Sequence, residues 1–390
     1  MPGKELALRI APELWLKRLV VGGVDRVFEI GPAFRNEGID ATHNPEFTMC
    51  EFYAAYTNLS DLIQETEALV SGMAKYSHEL IERTLTSLPP LDPSFFTPPF
   101  DFVEFVPAIE KALGISLPDL SSEDALPNLI TILQLARINI PGGFPATLPK
   151  LLDRLSALCL EPLSYKSPLF IIHHPACMSP LSKEFTCPTT GQRVSARAEL
   201  FVNGRELANM YEEENDPEEQ LRKMVEYHRV SSLARRERER ERSLVDDNIA
   251  EEVVKAPPAW VSPSNDQDVG EEHPAEVEED DEEPPPPIDQ SYIRALRAGL
   301  PPTGGWGCGV ERLVMLFSGA KRISDVLSFG TLRNVASLNV PGEGLPDLIP
   351  LPDKESKAEE DGQKEDEATG RIDALTKRLT LKNAPRGEGS

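Results

Sequence analysis

Period-two alternation of apolar and polar residues marks the first strands of the chain. Arg26–Ile30 (RVFEI) and Thr48–Tyr56 (TMCEFYAAY) read as strands, and the long Gly-, Asn-, Asp- and Pro-containing stretch between them suits a hairpin loop. Further on the spacing changes to three and four. Phe105–Leu113, Asp124–Ala136 and Leu148–Leu158 predict amphipathic helices separated by Pro-rich joints. Asn203-Gly204, between AELFV and RELANMY, predicts a two-residue hairpin turn. A glycine-rich run, TGGWGCG, is followed by Leu313, Leu316 and Phe317 at helical spacing, which predicts a strand leading into a helix.

These patterns divide the chain into packed sequence over 1–75, a helical insertion over 76–165 and strand-like sequence over 166–232. A charged insertion over 233–289, a packed segment over 290–340 and a tail over 341–390 follow. The chain carries 40 Lys+Arg against 65 Asp+Glu, a formal charge of −25, but unevenly: Asp266–Asp289 holds twelve acidic residues and no Lys or Arg. Residues 243–288 bury too little apolar surface to offset their ordering entropy and read as disordered, with a helix persisting through Arg242. The tail reads as mobile apart from a helical turn near 371–380. What remains is a mild acidic bias, with no basic domain built to grip nucleic acid by charge alone. No run of 18 apolar residues appears, so no membrane span is expected, and the N-terminal sequence has no secretory h-region. Five cysteines without CxxC spacing point to a reducing compartment.

Three stretches carry candidate chemistry. In the first, alternation along the second strand puts Glu51 and Tyr53 on one face and Cys50 and Phe52 on the other. A carboxylate beside a phenol on an inward face needs a polar partner. The preceding loop offers Arg35, Glu37, His43 and Phe47. Guanidinium for phosphate and an aromatic face for a base suit a nucleotide; the same residues also fit an exposed hairpin with ordinary surface charges. In the second, the Asn203-Gly204 turn opposes Phe201 to Glu206 and puts Glu199 diagonally on the same face. That pair fits a hard-cation site or a solvated acidic hairpin. Asn209, Tyr211 and Glu213 share a face but differ in parity from Glu206, so one common cavity requires an irregular step near Leu207–Asn209. His173, His174, Cys177 and Cys187 fit no standard zinc spacing. In the third, the glycines admit a close ligand, Arg312 falls on the first turn of the following helix, and Cys308 suits packing. The GGxGxG order is not the dinucleotide-binding fingerprint.

FRNEGIDATHNPEFTMCEFY resembles motif 2 of class II aminoacyl-tRNA synthetases in the form carried by lysyl-tRNA synthetases, and RIAPELWLKRLVVGGVDRVFEIG resembles the segment before it. ARAELFVNGRELANMYEEEND resembles a further element of those enzymes, and GLPPTGGWGCGVERLVMLFSG resembles motif 3. The resemblance covers about 1–75, 166–232 and 290–338. It implies an α+β fold: an antiparallel sheet flanked by helices, carrying helical and disordered insertions. It implies ATP and Mg²⁺ as cofactors. Arg35 would hold the α-phosphate and the substrate carboxylate, Glu37 and His43 the nucleotide, Phe47 and Arg312 the two faces of adenine, with Arg312 also on the γ-phosphate. Glu199 and Glu206 would serve Mg²⁺ and ATP. Glu13, Glu51, Tyr53, Asn209, Tyr211 and Glu213 would line a lysine pocket, with Glu13 and Glu213 meeting the ε-ammonium.

The reaction so implied joins lysine to tRNA(Lys) through lysyl-adenylate. The anticodon-binding OB-fold and motif 1, with its dimer interface, are not found, so the chain reads as N-terminally truncated, with a homodimer expected only from the family. The EEEND string and the Pro-rich insertion resemble fungal mitochondrial enzymes, which implies the mitochondrial matrix, with the cytoplasm as the alternative. A lysine ligase acting on a protein acceptor, and a non-catalytic paralogue, are the competing readings; the GID…T pattern in the motif 2 loop favours the tRNA enzyme.

Overall fold

The computed structural model describes residues 7–36, 39–233, 235 and 288–327. Nearly all of the charged insertion, the tail, and Glu37 lie outside the described residues. Within them a seven-stranded sheet has the order β1-β2-β9-β8-β7-β4-β3. Its strands are β1 (Arg26–Phe34), β2 (Glu46–Ala55), β3 (Asp101–Glu104), β4 (Leu169–Ile172), β7 (Arg197–Val202), β8 (Arg205–Glu212) and β9 (Thr303–Gly309). β5 (Glu184–Thr186) and β6 (Arg193–Ser195) form a separate two-stranded ribbon. All neighbours in the large sheet are antiparallel except β3 and β4, which run parallel. The sheet is thus mostly antiparallel and flanked by helices, as expected.

The helices are α1 (Glu13–Val21), α2 (Leu59–Arg83), α3 (Phe105–Leu113), α4 (Ala125–Leu135), α5 (Leu148–Cys159), α6 over 217–233, α7 (Gln290–Leu296) and α8 (Val310–Ser318). The three helices predicted within 105–158 therefore form. Residues 217–232, read from sequence as strand-like, are helical instead. Asp216 caps that helix through the amides of Glu218 and Glu219, and Pro217 stands at its first position, where a missing N–H costs nothing. The boundary set at residue 75 falls inside α2, which starts from a capping box of Asn58 and Asp61. Its buried stripe of Leu62, Val70, Ala74 and Ile81 continues unbroken past that point.

Three apolar clusters hold these layers. Phe52, Trp306, Cys308, Met210 and Leu200 pack against α2 and α8 residues, with Phe52 and Trp306 stacked at 5.1 Å. Cys50 lies opposite Cys308 in the β2–β9 register, so both thiols belong to this packed face. A second cluster joins α3, α4 and α5 to Leu169 and Ile171 of β4. The helical insertion is therefore fused to the sheet, contributing β3 as an edge strand. A third cluster packs α1 and α7 against Tyr53 on the opposite face from Phe52.

Leu155 of α5 is fully buried, whereas Leu135 of α4 is 79% exposed. Leu155→Ala is expected to lower unfolding free energy by about 2–5 kcal/mol, and Leu135→Ala by less than about 0.5 kcal/mol. Urea denaturation of both variants measures the difference.

Candidate functional site

Register determines which side chains meet on the front of the sheet. Glu51 faces Gly307 and Tyr53 faces Gly305 across β2–β9, while Asn209 faces Gly307 and Tyr211 faces Gly305 across β8–β9. The middle strand thus places glycine between two rows of polar side chains. On β8 the hairpin turn behaves as predicted: Asn203 and Gly204 both have positive φ (52° and 72°), and Phe201 opposes Glu206. Leu200 then pairs with Ala208, so Leu207 is the extra residue of a bulge. That bulge restores parity, and Glu206, Asn209 and Tyr211 all reach one cavity.

The cavity has a volume of about 340 Å³, within the range that holds small ligands. Of the residues anticipated from sequence, Glu13, Arg35, His43, Phe47, Glu51, Tyr53, Glu206, Asn209, Tyr211 and Arg312 line it. Glu199 and Glu213 are not in its wall; Glu213 is fully buried behind it, and Glu199 is partly buried.

At one end the groups are cationic and aromatic. The Arg35 guanidinium lies 5.2 Å from the centre of the Phe47 ring. Arg312 donates to the Glu206 carbonyl at 3.1 Å, to Glu206 Oε2 at 3.3 Å and to His43 Nε2 at 3.1 Å. Because Nε2 accepts, the His43 proton sits on Nδ1, which donates to Asp40 Oδ2 at 2.7 Å. Asp40 Oδ1 also accepts from the His43 amide at 2.7 Å, and the Ile323 amide donates to the Ala41 carbonyl at 2.7 Å. The loop after β1 is thereby pinned to the segment after α8.

Behind Glu206 sits a layer of charged groups. Glu199 accepts from Arg197 and, at 3.0 Å, from His174 Nε2. Burial alone would raise the Glu199 pKa, but Arg197 and His174 outweigh it and bring it down to about 2. Arg197 also donates to Asn209 Oδ1 at 3.1 Å, so one guanidinium links Glu199 to a cavity-wall amide. Glu206 is shifted upward, first by burial and then by the neighbouring Glu199 carboxylate. Two neighbouring carboxyl groups, Glu199 held ionised and Glu206 partly exposed, are suitable oxygen donors for a hard cation.

The other end is acidic and phenolic. Tyr53 donates to Glu51 Oε2 at 3.0 Å, and Tyr211 donates to Glu13 Oε1 at 2.5 Å. Burial and the nearby Glu13 push Glu51 up to about 7. Lys17 of α1 is fully buried, donating to Glu13 Oε1 at 2.6 Å and ion-pairing with Glu213. The Tyr53, Tyr211 and Tyr292 rings surround its Nζ at 5.9, 5.6 and 5.9 Å. Sequence reasoning passed over Lys17, Arg197 and Tyr292, and weighed His174 only as a zinc ligand. Lys17 had a usable signal, since an i,i+4 spacing from Glu13 places both on one helix face. Tyr292 had none, being reached only through α7 after the charged insertion.

A family model of class II tRNA synthetases (D, K and N) matches residues 1–243 and 264–333. The chain belongs to that family. A mitochondrial lysine–tRNA ligase of Schizosaccharomyces pombe is 38% identical over 340 residues, covering 85% of this chain and 52% of the relative. A probable cytoplasmic lysine–tRNA ligase of Encephalitozoon cuniculi is 35% identical, covering 84% and 56%, and the mitochondrial enzyme of Saccharomyces cerevisiae is 34% identical, covering 85% and 52%. The chain spans about half the length of the relatives it matches.

Gly305 is required by its neighbours before any ligand arrives. A Cβ there would collide with Glu213 Oε1 and lie 2.7 Å from the Tyr53 ring, both buried. Gly305→Ala is expected to cost about 1–3 kcal/mol of stability, read from urea unfolding, and to displace Glu213, read from a crystal structure of the variant.

Proposed function

We propose that this cavity activates lysine with ATP and transfers it to the acceptor end of tRNA(Lys). The observation that carries the reading is the polarity of the cavity. Two guanidiniums and an aromatic ring stand at one end, carboxylates and phenols at the other, and the distance between them is spanned by glycine.

The substrate carboxylate is ionised at neutral pH, so its attack on the α-phosphate needs no general base. Lysyl-adenylate forms, pyrophosphate leaves, and a 3′-terminal tRNA hydroxyl then attacks the mixed anhydride. Positioning and charge neutralisation provide the rate. In this reading Arg35 meets the α-phosphate and the substrate carboxylate, while Arg312 meets the γ-phosphate and covers adenine opposite Phe47. Glu37 and His43 contact the nucleotide, with Asp40 fixing the His43 tautomer. Asn209, Tyr211, Tyr53, Glu51, Glu13 and Glu213 receive lysine.

Among the described residues no three His, Cys, Asp or Glu side chains converge on one point. In this reading Mg²⁺ would be held by Glu199 and Glu206 and complete its shell from phosphate and water, its usual manner. When bound it would neutralise phosphate charge; Arg197 and His174 keep Glu199 ionised for that purpose.

Support for a homodimer comes from the outer strand: β1 is an edge of the sheet among the described residues, and its Phe28 and Ile30 are 70% and 59% exposed. Support for a mitochondrial location comes from the two fungal relatives, and for a cytoplasmic one from the microsporidian relative.

Arg35→Ala is expected to reduce lysine-dependent ATP–pyrophosphate exchange by about 10²–10³-fold or more. An undiminished rate in the folded variant would refute the reading. The pH dependence has a definite sign. Glu51 faces Glu13, Lys17, Arg35 and Tyr53, and its pKa of about 7 leaves it largely protonated at pH 6. A cationic ligand needs the ionised form, so the KM for lysine is expected to fall as pH rises through 7. Glu51→Gln is expected to flatten that dependence, as measured by exchange kinetics from pH 6 to 8.

A further inference from the structure

The acidic end of the cavity already contains an ammonium group. Lys17 is fully buried, and it lies outside the cavity wall while Glu13 forms part of that wall. Burial works against its charge, but Glu13 and Glu213 outweigh burial and hold its pKa well above the ordinary lysine range. A helix residue enclosed by two carboxylates and three phenol rings has nowhere to retract.

What Lys17 leaves unoccupied is as informative as what it binds. Glu213 turns Oε2 to Lys17, while Oε1 lies against Gly305, in the cavity wall. Neither oxygen accepts a hydrogen bond of ordinary geometry from the described residues, but Oε2 is engaged by the Lys17 ion pair whereas buried Oε1 has no such partner. A buried carboxylate oxygen without a donor is costly, and one aimed through the gap left by a glycine toward a cavity has a place for a donor to enter. Glu13 spends Oε1 on both Lys17 and Tyr211, leaving Oε2 without a partner among the described residues. The ion pairs thus split each carboxylate into a structural oxygen and a ligand-facing one.

We propose that Lys17 is a positioning and specificity-determining residue for the amino-acid substrate: it clamps Glu13 and Glu213 by one oxygen each, so that the remaining oxygens receive the ammonium groups of a diamino acid. This rests on the amino-acid-activating reading of the cavity. With Lys17 in place, the Glu13 and Glu213 oxygens that it does not engage are held for an amino acid whose own carboxylate is met by Arg35. Without it, Glu213 loses the ion pair that fixes Oε2, and nothing else among the described residues holds its other oxygen at the Gly305 gap.

The test compares the wild-type chain with Lys17→Met, which keeps length and apolar stem, and Lys17→Arg, which keeps charge. Isothermal titration with L-lysine, and separately with a non-hydrolysable ATP analogue, reads each affinity. Lys17→Met is expected to weaken L-lysine binding at least tenfold while the ATP analogue stays within twofold, and Lys17→Arg to fall between wild type and Lys17→Met. L-lysine affinity within twofold of wild type in a folded Lys17→Met chain overturns the assignment, as does an equal loss for both ligands. Should Lys17→Met fail to fold by circular dichroism, Lys17→Arg decides alone. A threefold or larger loss for L-lysine with none for the ATP analogue supports the assignment, and unchanged L-lysine affinity overturns it. A wild-type chain that binds neither ligand overturns the reading of the cavity itself, and the Lys17 assignment falls with it.

Discussion

The middle of the sheet is organised by the absence of side chains. β9 presents Gly305 and Gly307 to the front, and Glu51, Tyr53, Asn209 and Tyr211 lean over it from the strands on either side. Because neighbouring strands stand only about 4.8 Å apart, two rows of large polar groups can share one cavity only if the strand between them contributes no bulk. The rear of the same strand does the reverse. Trp306 and Cys308 point into hydrocarbon, and Trp306 stacks on Phe52. A single strand therefore presents bare backbone on one face and a large core residue on the other.

Charge in this cavity is arranged in layers. The residues in its wall act on a ligand, and the residues behind them set their state. Arg197 and His174 keep Glu199 ionised, Asp40 fixes the proton on His43, and Lys17 holds Glu13 and Glu213 apart. Two of the supporting groups, His174 and Lys17, are almost wholly inaccessible. Such groups are costly to desolvate and remain only where their partners compensate. The acidic end carries the larger electrostatic load, since burial raises Glu51 and Glu213 while the substrate proposed for it is cationic. A cation entering there relieves a cost already present in the empty protein.

Much of this was legible in the sequence because it depends on local rules. Alternation put Glu51 and Tyr53 on one face, the Asn-Gly pair set the hairpin register, and the mismatch between Glu206 and Asn209 called for a bulge, which Leu207 provides. The helices of the insertion followed from their spacing. Misreadings arose where tertiary context decides. Residues 217–232 are short of a clean period, but a capped, Pro-initiated start makes them helical. β3 was hidden among helices, since four residues become a strand only when β4 lies alongside. Glu13 and Glu213 were expected to wait for a ligand's ammonium; i,i+4 spacing puts Lys17 on the helix face of Glu13, but nothing in the sequence announced that it also reaches Glu213. Long-range burial made that choice, bringing α1, β8 and α7 together around one nitrogen.

The Leu207 bulge has a consequence for how this sheet tolerates change. β8 is in one phase before it and the opposite phase after it, so its two faces exchange roles at that residue. A loop can absorb an added or lost residue with little effect, but one inserted or removed between Arg205 and Tyr211 would turn Met210 and Ala208 outward and drive Asn209 and Tyr211 into hydrocarbon. Recognition chemistry and core packing on this strand are thus locked to the same count of residues, and neither can drift in length without the other.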